Sequence, residues 1–281
     1  MTNPPLFGKR VLITGAARGI GAAVAQRLHA EGALVALMGL EPELLADTAA
    51  RCGSAPWREC DVRDPDQVAG AVSELVQELG RLDVVVANAG IARQLPIIGG
   101  QSGVFEAHID VNLLGVYYTL REAGTHIAHP GGYALAVASA AAAIHLPLLG
   151  AYSASKAGVE ALGNTLRQEL KPTGARVGVA YFAEIDTDMT SRGFGTDAGR
   201  LLTGGGTLSG VAPLESAVEA VIKGIAKRKR RIVAPFWLHP VLPMRHLAQR
   251  AVELKPLPNL EAALDLARRE QIDFTTEQPE R

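Results

Sequence analysis

The chain of 281 residues is predicted to fold as an α/β protein: a doubly wound, seven-stranded parallel sheet with helices on both faces, plus a carboxyl-terminal helical extension. Three observations predict this. Short apolar runs alternate with helix-compatible segments through residues 1–235, the pattern of βαβ units. Runs such as Val84-Val85-Val86 are valine-rich and barely alternate, as strands covered on both faces do. The first run opens through Gly15, Gly19 and Gly21 into a helix, a strand–turn–helix entry.

The first strand is read at 10–14 and the first helix at 19–31. Between them Gly15 allows a tight turn, Gly19 lets backbone approach a pyrophosphate, and Gly21 lets helix and strand pack closely. The free amides and dipole of the helix amino terminus suit phosphates. After a strand and before a helix, the spacing Gly-x-x-x-Gly-x-Gly favours a Rossmann-type dinucleotide site over a plain turn. Strand two (34–38), helix two (42–51) and strand three (56–61) follow. Helix three (65–79) starts at Asp64-Pro65, with proline at a first helical position. Strand four (83–87), a long helix (102–128), strand five (132–139), a helix at 151–171 and strand six (175–181) come next. A helix at 213–228, entered through Ala212-Pro213, and strand seven (231–234) complete the sheet. Residues 190–212 hold Gly193, Gly195, Gly199, Gly204, Gly205, Gly206 and Gly210, and are expected to form a mobile substrate lid rather than an ordinary surface loop. Residues 1–235 thus form the dinucleotide-binding and catalytic domain and 236–281 the extension.

Composition narrows the function. With 48% hydrophobic residues and net charge −1, nothing draws the whole chain to nucleic acid. Cys52 and Cys60 form no Cys-x-x-Cys and are expected to be packed thiols, which fits a cytoplasmic setting. The apolar run after Lys9-Arg10 is too short for a signal peptide. Residues 133–151, the longest apolar stretch, contain Ser139, His145 and Pro147 and read as strand plus loop, not a membrane span. His126 and His129 have no carboxylate or cysteine partner, so no metal site is expected.

The chemistry centres on Ser139 and Tyr152-Ser153-Ala154-Ser155-Lys156. Residues four apart share a helix face, so Tyr152 and Lys156 point the same way. A free tyrosine titrates near pH 10, and an adjacent ammonium lowers that value toward neutrality, where acid–base catalysis works best. Ser139 ends the buried run 133–138, where a hydroxyl reaches a substrate oxygen. Alone, Tyr-x-x-x-Lys is better explained by chance on a solvated helix, because the pattern is short and common.

Taken together, Thr14-Gly15-x-x-x-Gly19-Ile20-Gly21, Asp61-Val62, Asn88-Ala89-Gly90, Asn112, Ser139, Tyr152 and Lys156 resemble the classical short-chain dehydrogenase/reductase family over roughly residues 8–235. The resemblance implies a nicotinamide-dependent oxidoreductase with Tyr152 as general acid/base and Lys156 lowering its pKa and holding the nicotinamide ribose. It implies that Ser139 orients the substrate carbonyl and that Asn112 holds a water linking Lys156 to solvent. Gly15, Arg18, Gly19, Ile20 and Gly21 would cradle the cofactor. Asp61 and Val62 would meet the adenine, Asn88, Ala89 and Gly90 would line the cleft, and Ile185 and Thr187 would bind the carboxamide. Phe182-Ala183 stands where the family usually has Pro-Gly, so the pocket floor at Ala183 departs from the pattern. A homodimer or homotetramer through the helices at 102–128 and 151–171 is implied too.

The second strand runs into Gly39, Leu40 and Glu41, with neither the usual acid of NAD binders nor the arginine of NADP binders in place. Glu41 would repel a 2′-phosphate, so NAD(H) is favoured over NADP(H); a helix-start carboxylate facing solvent is the alternative. Ala141, His145, Leu149 and Ala183 are expected to line the substrate pocket, and its apolar surroundings favour an apolar secondary alcohol or its ketone. A reductase of carrier-bound 3-oxoacyl chains and a non-catalytic dinucleotide-binding regulator are the other readings. Lys227-Arg228-Lys229-Arg230-Arg231 and Phe236 to Met244 are read first as a solvated helix end with an arm packed on the body. Weak peripheral contact of 227–244 with an anionic membrane is the second reading. The polar tail from Thr275 to Arg281 is expected to fray, and because every cofactor motif precedes residue 190, residues 256–281 are expected to be dispensable for the dinucleotide.

Overall fold

The computed structural model describes residues 5–205, 207, 209–270 and 273–279. Gly206 of the expected lid and residues 271, 272, 280 and 281 of the expected extension lie outside the described residues. In chain order, β1 (Arg10–Thr14), α1 (Gly19–Ala30), β2 (Leu34–Gly39), α2 (Pro42–Arg51), β3 (Trp57–Glu59), α3 (Pro65–Leu79) and β4 (Val84–Ala87) form the first half. α4 (Ser102–His108), α5 (Gly115–His126), β5 (Tyr133–Val137), α6 (Gly150–Glu169), β6 (Arg176–Phe182), α7 (Asp197–Thr203), α8 (Leu214–Ala226) and β7 (Arg231–Ala234) follow. The extension adds α9 (Leu238–Val241), α10 (Arg245–Glu253) and α11 (Leu260–Arg269).

The seven strands lie in the order β3-β2-β1-β4-β5-β6-β7, and every pair is parallel. This is the doubly wound sheet expected. Alternate residues of each strand feed opposite cores. Val11 and Ile13 pack with α1, α2 and α8, whereas Leu12 packs with α3, α5 and α6. That two-sided burial explains the near-continuous apolar runs. Strand order reverses direction between β1 and β4, so the crevice at their carboxyl ends is the place for a ligand.

Local differences have local causes. β3 is shorter than expected because, as an edge strand, it pairs only along Leu37–Gly39 of β2. β5 ends at Val137 because the Ser139 side chain accepts from the Ala141 amide and starts a tight turn over Ala140–Ala142. The long helix at 102–128 is interrupted by a π-helical segment, Ile109–Leu114, which contains Asn112. Such bulges gather at functional sites. α3 begins as read, with Asp64 accepting from the Asp66 and Gln67 amides.

The glycine-rich segment 190–212 carries α7, capped by Thr196, and α7 packs through Ala198 and Leu202 against Leu148 and Ala263 of α11. The extension is tied to the body. Leu238 and Leu242 enter the main core, and Arg245 grips Glu160 of α6 at 3.0 and 2.7 Å. Among the described residues no helix is long and apolar enough to cross a membrane. Cys52 and Cys60 are free, buried thiols, with burial the leading cause that raises them to about 11 and about 12.

Candidate active site

A cleft at the β1/β4 switch is lined by Gly15, Arg18, Gly19, Ile20, Asn88, Ala89, Gly90, Ile185 and Thr187. Gly15 has φ +65°, and a Cβ there would lie 2.8 Å from the Ala89 Cα, so the turn is closed to any larger residue. Gly19 has φ +56°, and its missing Cβ would meet only the Thr187 side chain, at 3.7 Å. Arg18 at the α1 N-cap makes no side-chain cap bond, and the first turn carries no acid. The helix amides therefore face open space, and this cradle fits the pyrophosphate of a dinucleotide. Gly21, the third glycine, packs on the Gly15 carbonyl.

Asn88 braces the turn. Its Nδ2 donates to the Thr14 and Gly15 carbonyls at 3.0 and 3.2 Å, while its own amide and that of Ala89 donate to the Thr14 hydroxyl. Asp61 and Val62 line the cleft as expected, but Arg63 holds the Asp61 carboxylate, Nη2 to Oδ2 at 2.6 Å. Arg18 pairs with Glu41, its Nε donating to Oε2 at 2.9 Å, and reaches Asp188 at 3.1 Å. Glu41, expected to repel a 2′-phosphate, is thus paired with a cation of the glycine turn.

Ser139, Tyr152 and Lys156 meet at the inner wall, all buried. The Ser139 hydroxyl lies near enough to the Tyr152 phenol to act on its titration, and it donates to the Phe182 carbonyl at 3.2 Å. The Lys156 ammonium lies 5.8 Å from the Tyr152 ring centroid and donates to the Val137 carbonyl at 2.9 Å. Burial lowers Lys156 to about 8. Burial also raises the Tyr152 phenol, and the Ser139 hydroxyl opposes it. Lys156 was expected to draw the phenol down; in this buried wall desolvation dominates instead. Asn112 is fully buried, and its amide is engaged on both sides: Oδ1 accepts from the Ile91 amide at 2.7 Å, and Nδ2 donates to the Ile91 carbonyl and the Ser155 hydroxyl. The side chain fixes the loop after β4.

Beyond Tyr152 opens a cavity of about 600 Å³, whose lining includes Ser139 and three of the four residues read as pocket-lining, Ala141, Leu149 and Ala183. His145 is a correction. It is exposed and lies outside the cavity lining, because its backbone is held by Gln249 of α10 at 2.8 Å on the outer side. Sequence reasoning missed several residues. Phe194 stands edge-on to Tyr152 at 5.4 Å; its one signal is an aromatic set between Gly193 and Gly195. Trp237 and Leu257 of the extension also line the cavity. His108 is fully buried 6.3 Å from Tyr152, accepts the Arg93 amide at Nε2 and donates from Nδ1 to the Val104 carbonyl; burial lowers it to about 4. Among the described residues no His/Cys/Asp/Glu cluster could hold a metal.

A family model described as short chain dehydrogenase matches residues 9–198. Glycine betaine reductase ATRR of Emericella nidulans is 36% identical over 199 residues, 69% of this chain but 16% of that protein. D-threitol dehydrogenase of Mycolicibacterium smegmatis is 33% identical over 189 residues, 66% of this chain and 73% of that protein. 11-beta-hydroxysteroid dehydrogenase 1A of Arabidopsis thaliana is 30% identical over 247 residues, 83% of this chain and 70% of that protein. Among solved structures, a Mycobacterium paratuberculosis short chain dehydrogenase bound to NAD superposes with TM-score 0.70 at 27% identity, covering 82% of this chain and 97% of that one.

Proposed function

This chain belongs to the short chain dehydrogenase family, and from that premise we propose that it interconverts an apolar secondary alcohol and its ketone with a nicotinamide dinucleotide. One observation carries the reading: Tyr152 stands on the wall shared by the glycine-turn cleft and the 600 Å³ apolar cavity. A bound nicotinamide would supply or accept the hydride. Gly15, Gly19 and Ile20 would hold its phosphates, and Ile185 and Thr187 its carboxamide end. Ser139 orients the substrate oxygen by a hydrogen bond. Tyr152 gives that oxygen a proton in reduction and takes it back in oxidation. Burial raises the phenol and favours the protonated form that reduction needs; oxidation needs the phenolate, which the neighbouring Lys156 ammonium would stabilise. Lys156, held by the Val137 carbonyl, sits beside Tyr152 as the nearby cation and ribose contact.

NAD(H) is the favoured cofactor. Arg18 is engaged by Glu41 and Asp188, so a 2′-phosphate would have to break those pairs and face both carboxylates. The NAD-bound relative supports the same choice. The apolar cavity favours a bulky ketone over a polyol such as the D-threitol relative's name implies. The arm after β7 is chiefly structural, but Phe236, Trp237 and Met244 stay exposed after the basic run 227–231, and these are the residues a weak contact with anionic lipid would use.

The test is oxidation of NADH and NADPH by the purified chain against cyclic and steroid ketones, acyl thioesters and small sugars. Turnover of the apolar ketones is expected. Activity confined to thioesters or sugars would overturn the substrate reading, and no turnover despite NADH binding would favour a non-catalytic binder.

A further inference from the structure

The carboxyl-terminal segment 273–279 crosses the cofactor cleft. Thr275, Thr276 and Gln278 line it together with Glu41, Asp61 and the glycine turn. Thr276 donates to Glu41 Oε2 at 3.1 Å. Arg63, which already holds Asp61, donates to the Pro279 carbonyl at 2.9 Å. Phe274 is wedged among Leu95, Val104 and Ala151 and stands 5.7 Å from His108. On the upstream side Glu270 accepts the Asp197 amide at the start of α7. The segment is thus fixed from both ends by groups unlike those that fray a terminus. One group inside it has no partner: the Thr275 hydroxyl is buried and makes no hydrogen bond. A buried hydroxyl without a partner is costly to keep, and this one belongs to a cleft-lining residue.

We propose that residues 273–279 are a built part of the cofactor site, in which Thr276 sets Glu41 for the ribose hydroxyls and the Thr275 hydroxyl takes a polar atom of the bound dinucleotide. The proposal rests on the dinucleotide reading above. It corrects the expectation that the tail is dispensable, because the sequence motifs end before residue 190 while the cleft does not. It also adds a source of selectivity: the Glu41 carboxylate is held by Arg18 on one side and Thr276 on the other, leaving little freedom to swing aside for a 2′-phosphate.

The test is fluorescence titration of NADH and NADPH into the full-length chain and into Thr275→Val and Thr276→Val, which keep shape and lose the hydroxyl. Loss of one hydrogen bond corresponds to about fivefold in affinity, so each variant is expected to bind NADH about fivefold more weakly. For Thr276→Val the preference for NADH over NADPH is expected to narrow. A chain ending at residue 272 should lose at least about tenfold. Unchanged NADH affinity in both point variants overturns the proposal, as does tighter binding by the shortened chain, which would make the tail a competitor. The point variants decide the matter if the shortened chain does not fold. If the full-length chain binds neither nucleotide, the dinucleotide reading itself fails, a result distinct from binding that ignores Thr275 and Thr276.

Discussion

Tyr152 keeps its ring between His108 and Phe194 whether or not it carries a hydroxyl, so the hydroxyl can be removed with little change in packing. Tyr152→Phe is expected to bind NADH normally and to lose turnover by about 10²–10⁴-fold, the usual worth of a positioned acid/base; near-normal kcat would free Tyr152 of the role. His108 gives a second prediction. Its folded pKa, about 4, lies below the ordinary 6.5, so as pH falls the unfolded chain takes up the proton first. Its contribution to stability is complete above about 6.5 and is lost on the way down to about 4. Urea midpoints between pH 7 and 4 should fall more steeply for the parent chain than for His108→Gln; equal slopes would contradict this. At this scale the Tyr152/Lys156 pair was legible because helical spacing fixes a shared face. His145 was not placed correctly: proximity in sequence to Ser139 says nothing of the Gln249 contact that holds it on the outside.

At the scale of elements, caps and prolines announced themselves, as Asp64-Pro65 did for α3, because their partners lie within one turn. The lid was read from glycines alone, and α7 inside it escaped. Its stability comes from two partners distant in sequence, Gln94 and α11. Thr196 joins them: its hydroxyl accepts the Gly199 amide at 2.9 Å, capping α7, and donates to the side-chain Oε1 of Gln94. Thr196→Ala removes the cap and strands a buried acceptor, and is expected to cost about 1–2 kcal/mol in chemical denaturation. Because α7 borders the cavity, KM for the ketone should rise while the NADH dissociation constant stays put. Thr196→Ser should restore both. A KM equal to the parent's in Thr196→Ala would detach α7 from substrate binding. The π-helical segment at Asn112 was equally hidden, since its register is set by Ile91 and Ser155 rather than by the local sequence.

At the scale of the molecule, the sheet and its crevice were legible because the parallel strands, buried on both faces, print their burial into the sequence as unbroken apolar runs. The course of the extension was not, because its anchors, Glu160 and Leu148 among them, lie on other elements and leave no period along the chain. Self-association is the prediction that belongs to this scale. The outer faces of α5 and α6 form a shallow groove of about 440 Å³, lined by Tyr117, Leu120, Arg121, Leu162 and Leu166, with Tyr117 43% exposed. These are the two helices through which the resemblance implies pairing, and an apolar groove with an exposed aromatic edge is the anatomy expected of an interface centre. A stable interface hides roughly 800 Å² on each partner, so most of both helices would have to take part. A charge at the middle of such a patch is then buried without a partner in the dimer and fully hydrated in the monomer. Leu162→Glu is accordingly expected to convert a dimer or tetramer into smaller species in light scattering, while the variant still binds NADH because Tyr152 and Lys156 lie further towards the amino end of α6, in its buried part. A parent chain that runs as a monomer, or a Leu162→Glu variant of unchanged mass, would remove this face from the assembly.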